Sequence, residues 1–331
     1  MAHGRALHNR RSPTLCARLV APDTVVENVR LHGCYRDGVS VEAVTRAHVH
    51  NVVANDIGYF LPAAPPSTAD NWIGAGVLVQ GSDDVSVENL EVTQASHGLI
   101  YWGGNADKTS ADYSATYQVN RLRITGARIT DVRGGCLWGS RGQDVQFANN
   151  FVGRCGDVGI DAEGSDRVIV NGNTVYDTGN GGITAFYSST HMTVTGNSVS
   201  QHAWTAGTHC AAGWPRGFGR GAAVHLNGVG VSSDVVIANK SLHSSFDPAI
   251  ATDRGVVDHL LVEGNRILSS GSHGMRFLYG KNVAVVGNTV DVTGTLGISL
   301  EGIQDAGVLN NRVHTASTST APFSVATSMQ G

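Results

Sequence analysis

Residues 159–175, GIDAEGSDRVIVNGNTV, decide the fold. They read as a short strand (160–163), a polar turn, a second strand (168–170) and an Asn-marked turn into a third. The same order returns. Gly182 opens GITAFYSSTHMTVTGNSV, Gly274 opens GMRFLYGKNVAVVGNTV and Gly297 opens GISLEGIQDAGVLNNRV. Counted on the turn asparagines, Asn150 to Asn173 is 23 residues, Asn173 to Asn197 is 24, Asn239 to Asn265 is 26, and Asn265 to Asn288 and Asn288 to Asn311 are 23 each. The step from Asn197 to Asn239 is 42, one period plus an insertion. Self-similarity at a fixed period marks a solenoid.

Each period carries short Val/Ile runs bounded by Gly, Asn, Asp and Ser, and none shows capped helical periodicity. Three short strands per coil and no helix predict a parallel β-helix of about ten or eleven coils. Because each coil touches only its neighbours, 331 residues fit one domain, 1–331. Its basic segment 1–22 is expected to cap the N-terminal end, and the Ser/Thr-rich segment 316–331 the C-terminal end. The turn asparagines are read as structural: Asn tolerates left-handed turns, and stacked amides can bond along the axis.

These repeats resemble those of the right-handed parallel β-helix proteins typified by pectate lyases, over residues 24–328. The resemblance implies the fold. It leaves open lyase, glycoside hydrolase, uronate epimerase, tailspike and binding functions. For a lyase it implies Arg276 as base and Asp161, Glu163 or Asp253 as calcium ligands; otherwise no cofactor or metal is expected. GSHGMRF (271–277) is similar to the GHG segment of polygalacturonases, but their paired aspartates and RIK segment are absent, as is the DPHD motif of mannuronan epimerases.

Composition excludes some classes. Gly is high at 42 and charged residues low at 15%, which suits tight turns. A net charge of −4 gives no nucleic-acid footprint. Lys is limited to Lys108, Lys240 and Lys281, so arginine would have to hold a polyanionic substrate. No apolar run is long enough for a membrane-spanning helix, and no apolar leader core is present, so a cytoplasmic protein or one already processed is expected. The five cysteines (16, 34, 136, 155, 210) show no metal-type spacing and are read as small buried or turn residues. Oligomeric state, monomer or trimer, is not specified by the sequence.

Three insertions break the period: 59–75, 103–118 and 202–221. All adjoin the strand that opens on glycine, two before it and one after it, and are expected to wall one face. Alternation along that strand sends Ile160/Ala162, Ile183/Ala185, Val224/Leu226, Ile250/Thr252, Met275/Phe277 and Ile298/Leu300 inward. It sends two columns outward. One is Asp161, Thr184, His225, Ala251, Arg276, Ser299; the other is Glu163, Phe186, Asn227, Asp253, Leu278, Glu301. Gln80, Trp102 and Leu137 are expected to extend the face upstream, with Tyr101, Trp138 and Tyr187 nearby.

Carboxylates with a His and an Arg, flanked by aromatic rings, fit a saccharide groove. The expected catalytic set is Asp253, Glu301, Asp161, Glu163, His225 and Arg276. The expected substrate-binding set is Trp102, Phe186, Tyr187 and Asn227, with Trp204, Trp214, Arg216 and Arg220 of the third insertion as a gripping lid. Asp253 and Glu301 lie two coils apart, about 9.6 Å, and Asp161 and Glu163 two residues apart, about 6.6 Å, both nearer inverting than retaining spacing. The primary expectation is an enzyme cleaving or rearranging glycosidic bonds of an oligo- or polysaccharide by carboxylate acid/base chemistry. The alternatives are a calcium-assisted lyase or epimerase on uronates, and a non-catalytic tailspike-like or carbohydrate-binding protein.

Overall fold

Val/Ile-rich segments of four to eight residues, too short for stable helices and punctuated by left-handed turns, can satisfy their backbone only by pairing with neighbouring coils. The computed structural model shows this arrangement. It describes residues 7–8, 16–58, 74–201, 222–227, 230–244, 248–253, 255–269, 273–294, 296–316 and 323–326. Among the described residues there is no helix, and every strand pairing is parallel. About eleven coils stack, each strand pairing with its counterpart one coil on.

The glycine-opened strands form one ladder: Val39–Glu42, Ala75–Gln80, His97–Trp102, Leu137–Ser140, Val158–Glu163, Gly181–Phe186, Val224–Asn227, Ile250–Asp253, and the first halves of His273–Val286 and Leu296–Leu309. Their inward side chains fall as alternation requires. Ile160, Ile183, Val224, Ile250, Met275 and Ile298 stack in the core, with Ala162, Ala185, Leu226, Thr252, Phe277 and Leu300 two residues on. Core stacks of this kind lose about 2–5 kcal/mol per Leu- or Ile-to-Ala change.

Two corners are built differently. At one, buried asparagines bond along the axis. Asn150 donates to Asn173 and Asn173 to Asn197, each at 2.9 Å; Asn265 donates to Asn288 at 2.9 Å and Asn288 to Asn311 at 2.8 Å. Asn239 does not belong to this ladder. It takes the preceding left-handed position (φ 56° at Asn149, 53° at Asn239), and the ladder slot falls to Lys240. At another corner Asp23, Arg46, Asp84, Arg121, Asp144 and Arg167 hold left-handed conformations in successive coils and pair acid to base along the axis. Being exposed, each such pair is worth about 0–1 kcal/mol.

The cysteine expectation is corrected. Cys16 bonds to Cys34 and Cys136 to Cys155, separations of 18 and 19 residues, because slightly less than one period brings a residue back beside its predecessor on the next coil. Cys210 lies outside the described residues.

Candidate functional site

The register produces the two outward columns. Asp161 lies opposite Thr184, Thr184 opposite His225, His225 opposite Ala251, Ala251 opposite Arg276, and Arg276 opposite Ser299. Beside it run Glu163, Phe186, Asn227 and Asp253, with Leu278 opposite Glu301 further on. For Asn227 and Asp253 the placement is one of backbone register. Upstream, Gln80, Trp102 and Ser140 lead to Glu163. Leu137 is not in the face. It pairs with Leu99 and Ile160 and is buried inward, and Trp138 takes the place beside Asp161. The reason is a one-residue shift: Cys136, not Gly135, occupies the strand-opening position. Tyr101 also points into the core, where its ring lies 6.2 Å from Phe147 and its hydroxyl 3.0 Å from Ser165 Oγ.

The first column is not a solvated surface. Asp161 and His225 are 2% exposed, and Thr184 and Ser299 are buried, whereas Glu163, Phe186, Tyr187, Arg276 and Glu301 keep partial exposure. Phe186 stands edge-on to His225 at 5.9 Å and to Tyr187 at 6.5 Å.

Among the described residues, burial and neighbouring acids govern these carboxyls. Burial pushes the Asp161 carboxyl up to about 8; the Thr184 hydroxyl opposes this and Asp157 adds to it. Asp161 Oδ1 has no hydrogen-bond partner among the described residues. Glu163 is held well above the ordinary carboxylate range, first by burial and then by Asp161, Asp157 and Asp107. Asp157 is pushed up to about 6 by burial, against a hydrogen bond from Asn180. Tyr187 rises to about 12 by burial, followed by Glu163, Asp107 and Asp161. Among the described residues the charged neighbours that act on Asp161 and Glu163 are acids, so the pair retains a proton near neutral pH.

The second insertion supplies one wall. Asn105 bridges Tyr113 and binds Asp112 at 2.7 Å, while Asp107 Oδ1 accepts from the Thr109 amide at 2.9 Å and hydroxyl at 2.7 Å. Arg141 pins this wall to the turn after Glu163. Its guanidinium lies 4.4 Å from the Tyr117 ring centre and 5.5 Å from that of Tyr113, and Nη1 donates to the Gly164 carbonyl at 3.1 Å. The first and third insertions, with Trp204, Trp214, Arg216 and Arg220, lie outside the described residues apart from Gly74 and Ala75.

At the other end Arg276 grips Glu301 with two bonds, Nε–Oε1 at 3.2 Å and Nη2–Oε2 at 3.4 Å, and Ser299 Oγ adds a third at 3.1 Å. The Arg276 bond holds the Glu301 carboxyl below its ordinary value, against burial. Glu301 is therefore an ionised, paired group. Among the described residues no three His, Cys, Asp or Glu side chains are placed to hold a metal ion.

The residues missed in sequence are Asp157 and Asp107, and Trp138, expected near the face, stands in its first column. Asp157 sits two residues ahead of the glycine used for alignment, Asp107 lies in an insertion with no period to read, and Trp138 required the one-residue shift.

A family model described as "Right handed beta helix region" matches residues 67–213. No curated protein sequence matches the chain. Among solved structures it is similar to PfbA, a surface adhesin of Streptococcus pneumoniae (12% identity, 92% of this chain and 71% of that one, TM-score 0.53). It is similar to a periplasmic alginate epimerase, AlgG (13%, 92% and 76%, 0.53), and to a hyperthermoactive exopolygalacturonase from Thermotoga maritima (11%, 90% and 84%, 0.56). At such identities the likeness is one of fold: the chain is a right-handed parallel β-helix, the fold of the pectate-lyase-like proteins.

Proposed function

We propose that the chain is a carbohydrate-active enzyme that breaks or rearranges a glycosidic bond, with Asp161 and Glu163 as its acid/base pair. The observation that carries this reading is two carboxyls on one strand, both pushed up by burial, Asp161 further by Asp157 and Glu163 further by Asp161, beside a wall that adds another acid, Asp107. Structural acids normally acquire a cation; among the described residues these lie among acids.

Interacting carboxyls lose their protons one at a time. The singly protonated pair holds an acid and a base together. Glu163, the more exposed, gives its proton to the glycosidic oxygen as the bond to the sugar breaks. Asp161, ionised as pH rises towards about 8, takes a proton from the incoming water or hydroxyl. Arg276, about 19 Å along the face at coil spacing, lies outside this chemistry and holds the saccharide through Glu301 and its own guanidinium. The names of the structural neighbours, an alginate epimerase and an exopolygalacturonase beside an adhesin, support a saccharide partner without choosing the reaction. The two disulfides fit an oxidising setting.

The test is incubation with a broad glycan panel, following new reducing ends and the ultraviolet absorbance of a C4–C5 double bond together. Reducing ends alone, abolished by Glu163→Gln, are expected. Both signals together would replace hydrolysis by β-elimination. Silence in both, with mass spectrometry showing no cyclised product and proton NMR no epimerised one, would leave a binding protein.

A further inference from the structure

We propose that Trp138 is the stacking platform of a saccharide subsite adjoining Asp161, and that His97 is its positioning residue. This rests on the reading of Asp161 and Glu163 as the reacting pair.

Trp138 stands in the Asp161 column, one coil upstream, because Leu137 pairs with Ile160 and Ser140 with Glu163. Its ring packs against Ala75, Leu78 and Ile100, an apolar cluster separate from the main core, and remains partly exposed. An indole with apolar backing on one side and solvent contact on another offers a flat surface at the point where the acids begin.

The indole is held in place. Trp138 Nε1 donates to His97 Nδ1 at 3.0 Å, and the Gly135 amide donates to the same nitrogen at 3.1 Å. Two N–H groups aimed at Nδ1 require that nitrogen to be unprotonated, which places the ring proton on Nε2. His97 is 4% exposed and its ring centre lies 5.5 Å from that of Trp138, tilted by 52°. The bed beneath them admits no side chains. A Cβ on Gly134 would meet the His97 ring at 2.1 Å, and one on Gly135 would meet Trp138 Cδ1 at 2.4 Å. A buried histidine, two glycines and an indole nitrogen are thus spent on fixing one ring that a core position would not need to fix.

The test uses the full chain, the oligosaccharide that the panel shows to be turned over, and a tryptophan-fluorescence titration with that same oligosaccharide. Trp138→Ala is expected to weaken binding and raise KM about tenfold, with kcat changed less than about twofold, the loss of roughly one aromatic stacking contact. Trp138→Phe, which keeps a ring and the fold, should fall between. His97→Leu should behave like Trp138→Ala. His97→Asn, which keeps an acceptor, should recover most of the affinity. Wild-type binding and KM in Trp138→Ala and Trp138→Phe, while Glu163→Gln is inactive, overturns the subsite and leaves the enzyme reading standing. Equal losses in His97→Asn and His97→Leu overturn the positioning role. Absence of any turnover or fluorescence response in the unmodified protein overturns the enzyme reading and this inference with it.

Discussion

Two acidic places lie on the same strand face, and they are opposites. Asp161 and Glu163 are neighbours among acids, raised by burial and by those acids. Glu301, five coils from Glu163, is gripped by Arg276 and lowered. Identical backbone positions in a repeat therefore carry opposite protonation. The coil geometry supplies equal spacing, and the residues on the adjoining coil decide the charge. Arg276, one coil from Glu301 and diagonal to it, makes an ion pair with it, whereas the residue diagonal to Glu163 on the adjoining coil is Trp138 and the residue opposite Asp161 is Thr184.

The largest expected effect tests which of the two is chemical. Glu163→Gln should lower kcat by about 10²–10⁴-fold, the range for losing a general acid, while Glu301→Gln should act mainly on KM. The reverse result in steady-state kinetics would exchange the roles. A smaller effect separates the two by pH. Asp161 has a folded pKa above its unfolded one, so its protonation favours the fold: the contribution is full below about 3.8 and is lost as pH rises towards about 8. Glu301 runs the other way, contributing above 4.5 and losing that contribution as pH falls through its lowered folded value. Melting temperatures of the wild-type protein should thus fall between pH 5 and 8, and Asp161→Asn should flatten that fall. A profile unchanged by Asp161→Asn would mean the carboxyl is ionised in the fold.

A third variant sharpens the same contrast. Asp107→Asn removes one of the acids that raise Glu163, so the alkaline limb of the pH–rate profile should move towards acid. An unmoved limb would detach the 103–118 wall from the chemistry. The smallest expected effect compares a buried charge of no catalytic use. Lys240 is 3% exposed, and burial alone pushes its ammonium well below the ordinary lysine value. Lys240→Asn restores the ladder and should raise stability by about 1–3 kcal/mol in urea titrations, leaving kcat/KM untouched. A destabilised variant would mean the bond from Nζ to the Val194 carbonyl outweighs the desolvation of the ammonium.

The fold was legible because its determinants are periodic. The inward set from Ile160 to Leu300 follows from alternation alone, and the pairing Asp161–Thr184–His225 follows from counting coils. What was not legible was local. Asn239 and Lys240 are adjacent, and composition favours the asparagine, yet the left-handed position precedes the ladder slot by one residue and Asn239 fills it. Leu137 was misplaced for a similar reason, since Cys136 stands where other coils have glycine. The disulfides were hidden because pairing depends on which coil a cysteine returns to, not on spacing motifs. The protonation contrast was hidden too, because both ends of the face offer acids in sequence and only burial and partners distinguish them.

Lys240 has a consequence beyond stability. The amide chain Asn150–Asn173–Asn197 stops there, and the chain Asn265–Asn288–Asn311 begins one coil later. Asn197 turns its amide to the Val170 and Thr195 carbonyls instead of onward. The same coil carries the 202–221 insertion. In a rod whose cohesion is a sum of contacts between neighbours, a joint without the amide bonds made on either side of it is weaker than those two stretches. Drawn out from its two ends, the stretch from Asn150 to Asn311 should part at this coil before it parts within either amide chain. Asp161 and Glu163 would stay on the N-terminal side and Arg276 and Glu301 on the C-terminal side, so the seam divides the reacting end of the face from its gripping end.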